Sequence, residues 1–300
     1  MQLTTTQSTA WPGVGAYFAR RSVREGIWRG TITTIIAIGA IMLLFPVAFM
    51  ITTSLKQTGQ VFLLPIKWIP GVQFIPRWEN FPKALNFMHW QVVYGNTMIV
   101  TINAMVADVI SGAIVAYGFA RFRAPFKNQL FILVLATLMI PYVSRLVPEY
   151  LAFARLGLVD TLWPLLIPQW FGSAFNIFLL RQFFMTIPTE MDEAGKIDGA
   201  GPIRIFFSIL LPQILPALAV VAIGAFTFHW NDFLRPLIYL NSPDKRTAAV
   251  ALSFFQASFG GTPYNLLMAA ALVNLIPVLA LFFLAQRHFI QGIVVSGVKG

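Results

Sequence analysis

The chain has 300 residues, of which 57% are hydrophobic and only 11% charged, with a mean hydropathy of +0.73. A soluble domain carries about 25% charged residues, so this composition excludes a water-soluble globule and describes a polytopic membrane protein. The net charge of +10 comes from Lys and Arg scattered through loops, which fits anionic headgroups and an inward bias of positive charge rather than nucleic acid.

Cysteine is absent, which excludes disulfides and thiolate sites, and His89, His229 and His288 are too dispersed for a metal centre.

A membrane-crossing helix needs roughly 20 mostly apolar residues. Six runs meet this: Thr31–Ile51, Val92–Phe119, Leu130–Val147, Leu162–Phe184, Ile209–Trp230 and Leu266–Ala285. The predicted fold is therefore all-α, with about six spans. The first run lies some thirty residues in and lacks a small-residue cleavage pattern, so it is read as a retained helix. Arg121, Arg123 and Lys127 crowd the short loop between the second and third runs, which places that loop, and both termini, in the cytoplasm. Residues 1–30 then form a cytoplasmic segment and 31–300 the transmembrane domain, with outer loops at 52–91 and 233–265.

The 52–91 loop is rich in Pro and Trp and is expected to pack at the interface. The second loop is expected to hold a short helix, Thr247–Ala257, and a turn at Gly260-Gly261-Thr262-Pro263. Pro46, Pro141, Pro148, Pro164, Pro168, Pro216 and Pro277 lie within or at the ends of apolar runs. Such prolines bend helices, and the freed carbonyls are tolerated where neighbours or a water-filled cavity satisfy them.

A polar island, 187–208, interrupts the apolar pattern. Thr189 is placed to cap a helix with Asp192 three residues on, and Glu190, Asp192 and Glu193 favour its positive end. Gly199 suits a left-handed carboxyl-terminal cap, and Pro202 the first turn of a second helix. The expected product is a helix, a tight turn and another helix.

Glu193-Ala194, Gly199 six residues after the Glu, and Ile209-x-Leu211-Pro212 resemble the EAA signature of importer-type ABC permeases. The segments Phe228–Leu237, Gln286–Phe289 and Gly292–Gly300 extend the likeness from about Phe45 to the end of the chain. They resemble the maltose-type carbohydrate permease family, which implies the type I ABC importer permease fold. Gly195 departs from the signature, which usually has a second Ala; glycine costs about 1 kcal/mol of helix propensity but permits close approach.

The resemblance implies an ATP-driven oligosaccharide importer in a bacterial inner membrane. Its partners would be a second permease subunit of different sequence, two ATPase subunits and an extracytoplasmic solute-binding protein. Glu193, Ala194, Gly195, Asp198, Gly199 and Pro212 would couple to the ATPase. Gly260, Gly261, Thr262, Pro263 and Tyr264 would touch the binding protein.

No G-x-x-x-x-G-K-[ST] loop and no nucleophile–base set occurs, so the chain reads as non-catalytic, with ATP and Mg on a partner.

Polar residues within the runs are pathway candidates. Asp108 carries a charge that costs about 2.5–3.5 kcal/mol at mid-membrane, so it must face a partner or water, or protonate. Asn103, Gln169 and Asn176 can bond either sugar hydroxyls or neighbouring helices. Arg145 either reaches toward headgroups or clamps an anion, and the second reading points to an acidic, alginate-like cargo. An ion- or proton-coupled transporter is the rival class, but it leaves the polar island unexplained.

Overall fold

A computed structural model describes the backbone of residues 13–255 and 262–297 and the side chains of 25–255 and 262–286. It is helical throughout, with an isolated bridge between Pro70 and Phe74 as its only β-type pairing among the described residues.

Helix α1 (Gly13–Ser54) runs unbroken through Pro46, and none of its apolar span is buried by the rest of the chain. The loop that follows is anchored at a few points, while Phe62, Leu64, Val72 and Trp78 stay exposed. Trp68 lies against Phe45 and Phe49, and the buried Asn80 amide donates to the carbonyls of Ser54 and Lys56 at 2.8 Å each. Asn80 opens α2 (Asn80–Phe87).

Helix α3 (Trp90–Arg121) is the axis of the fold. Its buried face carries Ala104, Ala107, Gly112, Ala113 and Ala116, small residues that let helices approach closely in a membrane. A Cβ on Gly112 would meet Leu180 Cδ1 at 3.4 Å.

The third expected span is broken. Helix α4 (Lys127–Ala136) continues in a short turn to Met139, and α5 (Tyr142–Arg155) leaves it at 97°. Pro141 sits at the corner with φ −58 and ψ 137, just before α5, and lacks the amide donor that would carry the preceding turn on. The fourth is in pieces too: α6 (Trp163–Leu166), a tight turn over Ile167–Phe171, then α7 (Ala174–Thr186). Pro164 and Pro168 remove amide donors, and Gly172 adopts φ +81 between the halves.

Next come α8 (Glu190–Ile197) and α9 (Pro202–Arg204), then a widened π-type turn over Ile205–Leu210, and α10 (Leu211–Gln213). The expected fifth span kinks by 80° before α11 (Leu215–Trp230). Pro212 and Pro216 cannot donate to the preceding turns, and such bulges form where the regular ladder is interrupted.

The chain closes with α12 (Leu234–Tyr239), α13 (Ala248–Phe254) and α14 (Tyr264–Gly297). Helix α13 starts where the expected Thr247–Ala257 helix does, with Thr247 as its amino-terminal cap residue, and the end of that expected helix lies outside the described residues. Among the described residues, three uninterrupted helices are long and apolar enough to cross a membrane, and the number rises to five if each bent pair is one span; the piecewise fourth run accounts for the difference from six.

Three clusters of buried apolar residues organise these elements among the described residues, the smallest made by Val100, Leu165, Tyr239 and Leu240. At the α8 end, Tyr117, Leu180, Phe184, Phe206, Leu210 and Val221 join α3, α7, the π-type turn and α11. At the other end, Met88, Val93, Ala251, Phe255 and Ala269 join α2, α3, α13 and α14.

Candidate functional site: the elbow at residues 189–212

Helix α8 ends as the glycine signature requires. Gly199 has φ +76, its amide donates to the Lys196 carbonyl at 3.0 Å, and the Ala200 amide donates to the Gly195 carbonyl at 2.8 Å. These two bonds make a Schellman cap, in which glycine takes the left-handed position without a Cβ penalty. Gly201 and Pro202 then open α9. The other end departs from expectation. Thr189 has helical dihedrals and makes no side-chain cap, so Asp192 is released from a capping box.

Asp192 instead turns inward. Its Oδ2 lies 3.0 Å from Arg121 Nε, and both side chains are about nine-tenths buried. The two atoms meet as charges rather than as an aligned hydrogen bond, while Arg121 NH2 donates to the Ile187 carbonyl at 2.8 Å. Gly195 shares this inner face. A Cβ there would lie 2.7 Å from Ile209 Cδ1 and 3.3 Å from Ile205 Cγ1, so Gly195 packs on its own chain and is not free to enter a partner's cleft.

The outer face of α8 has a different character. Glu190, Glu193, Ala194, Ile197, Asp198 and Gly199 are exposed, as is Pro212 beyond the π-type turn. Ile197 is 86% exposed and Ile203 on α9 is 75% exposed. The elbow thus presents carboxylates beside two bare isoleucines on a buried, ion-paired base. Sequence reasoning missed Arg121, Tyr117, Ile197 and Ile203; two apolar residues flanking a polar turn were the available signal for the last two.

The pathway candidates separate on inspection. Asn103 is committed to structure, its amide donating to the Leu166 carbonyl at 3.0 Å and accepting from Trp170 Nε1 at 3.1 Å. Gln169 bonds back to Leu165 at 3.5 Å, and its own carbonyl faces Ser111. Asn176 is half-buried beside Gly112, with no side-chain hydrogen bond among the described residues. Arg145 stands 3.9 Å from Glu149 one turn on, so its charge is already shared.

Asp108 is 5% exposed, and its Oδ1 has no hydrogen-bond partner among the described residues. Arg235 is the basic group whose charge reaches it. That guanidinium is itself held by Asp232 at 2.6 Å and by His229 Nδ1 at 3.0 Å. Arginine only donates, so His229 accepts through Nδ1. This node was not anticipated as a site.

Thr262, Pro263 and Tyr264 are described, with Tyr264 edge-on to Phe62 at 5.0 Å. Gly260, Gly261 and the carboxyl-terminal Gly300 lie outside the described residues, as do the side chains of Arg287 and His288.

Unbroken and bent apolar helices together with an exposed helix–turn–helix elbow define a polytopic membrane protein with a polar docking-type surface. Residues 108–295 match the family model described as binding-protein-dependent transport system inner membrane component. The sn-glycerol-3-phosphate transport system permease protein UgpE of Yersinia enterocolitica is 35% identical over 268 residues, 86% of this chain and 93% of that protein. The Rhizobium meliloti protein of the same name is 33% identical over the same shares.

Among solved structures, a bacterial ABC transporter involved in the import of the acidic polysaccharide alginate matches with a TM-score of 0.76 at 21% identity, covering 89% of this chain and 98% of that one. The alginate transporter in complex with a pentasaccharide-bound periplasmic protein matches with a TM-score of 0.61 at 15% identity, covering 87% and 94%. These likenesses show the ABC importer permease fold.

The chain belongs to the family of binding-protein-dependent transport system inner membrane components. It is a non-catalytic, inner-membrane permease subunit of an ABC importer, and the ATPase is a partner. Membership sets aside the ion-coupled alternative.

Proposed function

We propose that the elbow is the surface on which a separate ATPase chain docks, with the elbow and both termini on the cytosolic side. Glu193 and Ala194 make the contact, Ile197 and Ile203 give it apolar grip, and Gly199 shapes the turn. The observation that carries this reading is the division of α8 into a buried ion-paired face and an exposed face of Glu190, Glu193, Ala194 and Ile197. A surface fixed from behind is suited to accept force. ATP and Mg are bound by the ATPase, two copies of which serve this chain and a second, different permease subunit. An extracytoplasmic solute-binding protein delivers cargo near Gly260–Tyr264.

The cargo is an anionic, hydroxyl-bearing solute of the sugar or sugar-phosphate class. Support comes from the relatives named for sn-glycerol 3-phosphate and from the fold neighbour named for alginate, an acidic polysaccharide. Asn176 and Asp108 each keep a polar atom without a hydrogen-bond partner among the described residues, and the reading assigns to Arg145, half-exposed beside Glu149, the contact with the anion.

The docking reading is tested with Glu193→Lys. Reversing a charge across an interface weakens association by at least about tenfold, read as loss of the ATPase chain on co-purification. Retention of that chain at native stoichiometry overturns the reading. The cargo reading is tested by uptake of glycerol 3-phosphate and a uronate oligosaccharide against a neutral sugar. Arg145→Ala lowers uptake of the anions selectively; equal loss for both classes overturns it.

A further inference from the structure

We infer that Arg121 is a positioning residue that joins the elbow and α3 into one mechanical body, so that a displacement of the elbow is delivered to α3. The inference rests on the docking reading above and names the route inward from it. Three successive parts of the elbow region are tied to the last two turns of α3. Arg121 NH2 holds the Ile187 carbonyl, where the chain leaves α7, at 2.8 Å. Arg121 Nε faces Asp192 on α8 at 3.0 Å. Tyr117, one turn earlier, donates its hydroxyl to the Pro202 carbonyl at the start of α9, at 3.1 Å. The Tyr117 ring also packs on Phe184 of α7 and Phe206 of the π-type turn, with centroids 5.9 and 4.9 Å away.

Arginine suits this place for a geometric reason. Its planar fork can hold a carboxylate and a carbonyl at once in fixed directions, which a lysine ammonium cannot. The pair is buried, so it gains little net stability over an apolar pair of similar size, but removal of one partner alone leaves a buried charge. What the pair supplies is direction. The same helix carries the buried Asp108, some way toward the opposite end. Motion imposed at Arg121 is therefore carried along the helix that bears the buried carboxylate.

The test uses the whole transporter in lipid nanodiscs, with spin labels on two exposed residues outside the proposed contact, Lys196 of α8 and Val106 of α3. ATP with vanadate serves as the probe. In the native transporter the label-to-label distance stays the same between the nucleotide-free and vanadate-trapped states. In the double variant Arg121→Met with Asp192→Leu, which avoids a lone buried charge, the melting temperature and ATPase retention stay near native. The distance then shifts or broadens between states, and ATP hydrolysis by the assembled transporter falls on the order of tenfold.

Two results overturn the inference: a native distance that changes between the states, or a double variant that keeps both a constant distance and the native rate. Failure of the docking reading shows separately, as ATPase retention in Glu193→Lys.

Discussion

Asp160 and Ser242 are joined twice across the helix ends opposite the elbow: the Ser242 amide donates to Asp160 Oδ1 at 2.8 Å, and its hydroxyl donates to Oδ2. The Asn241 amide adds a third bond at 2.9 Å, and Lys245 stands 3.5 Å away. Asn96 on α3 holds the next turn, donating to the carbonyls of Asp244 and Arg246. One carboxylate and one amide thus fix the segment 241–246.

This latch has a pH signature. Hydrogen bonds from Ser242, then from Asn241, with the Lys245 charge, hold the Asp160 carboxyl at about 2, below the usual 3.9. A depressed carboxylate stabilises the folded latch above its unfolded pKa and loses that contribution as pH falls through the folded value. Amide protection of residues 240–246, corrected for intrinsic exchange rates, is expected to persist at neutral pH and to vanish between about 4 and 2. Asp160→Asn should lack protection at all these values; native-like protection in that variant would contradict the latch.

Gly199 and Gly201 offer a matched pair. Neither would bring a Cβ within 4 Å of any neighbour, but Gly199 has φ +76 and Gly201 φ −72. Gly199→Ala is therefore expected to cost about 1–2 kcal/mol through backbone conformation alone, while Gly201→Ala is neutral or slightly stabilising. Thermal unfolding of the purified complex measures both. Equal melting temperatures for the two variants would show that the turn does not need its left-handed residue.

Asn103 is expected to report on fold rather than cargo. Asn103→Leu leaves the Trp170 indole N–H and the Leu166 carbonyl without their partner, at a cost of about 1–3 kcal/mol. The melting temperature should fall while the KM for cargo uptake stays native. A raised KM with unchanged melting would return Asn103 to the transport pathway.

How far the sequence reached differs from one element to the next. The Schellman turn at Gly199 was legible because it depends on local dihedrals and on one residue type without a Cβ. The role of Asp192 was not, because a Thr-x-x-Asp spacing fits a local cap equally well. Only the arrival of Arg121 from a helix some seventy positions earlier turns that carboxylate inward. Asn103 shows the same blindness: nothing in its own run points to Trp170, whose indole N–H its side-chain oxygen accepts.

Composition and hydropathy by themselves determined a polytopic helical membrane protein, and the spacing from Glu193 to Pro212 determined where its elbow lies. Local chemistry suffices for that, since burial of apolar surface and backbone dihedrals are properties of short segments. Tertiary structure alone decided which spans bend, since a proline permits a kink but packing chooses between the 97° corner at Pro141 and the uninterrupted passage through Pro46. It alone decided which charges are paired, since a Coulomb partner is fixed by distance in space, and sequence separation carries no record of it.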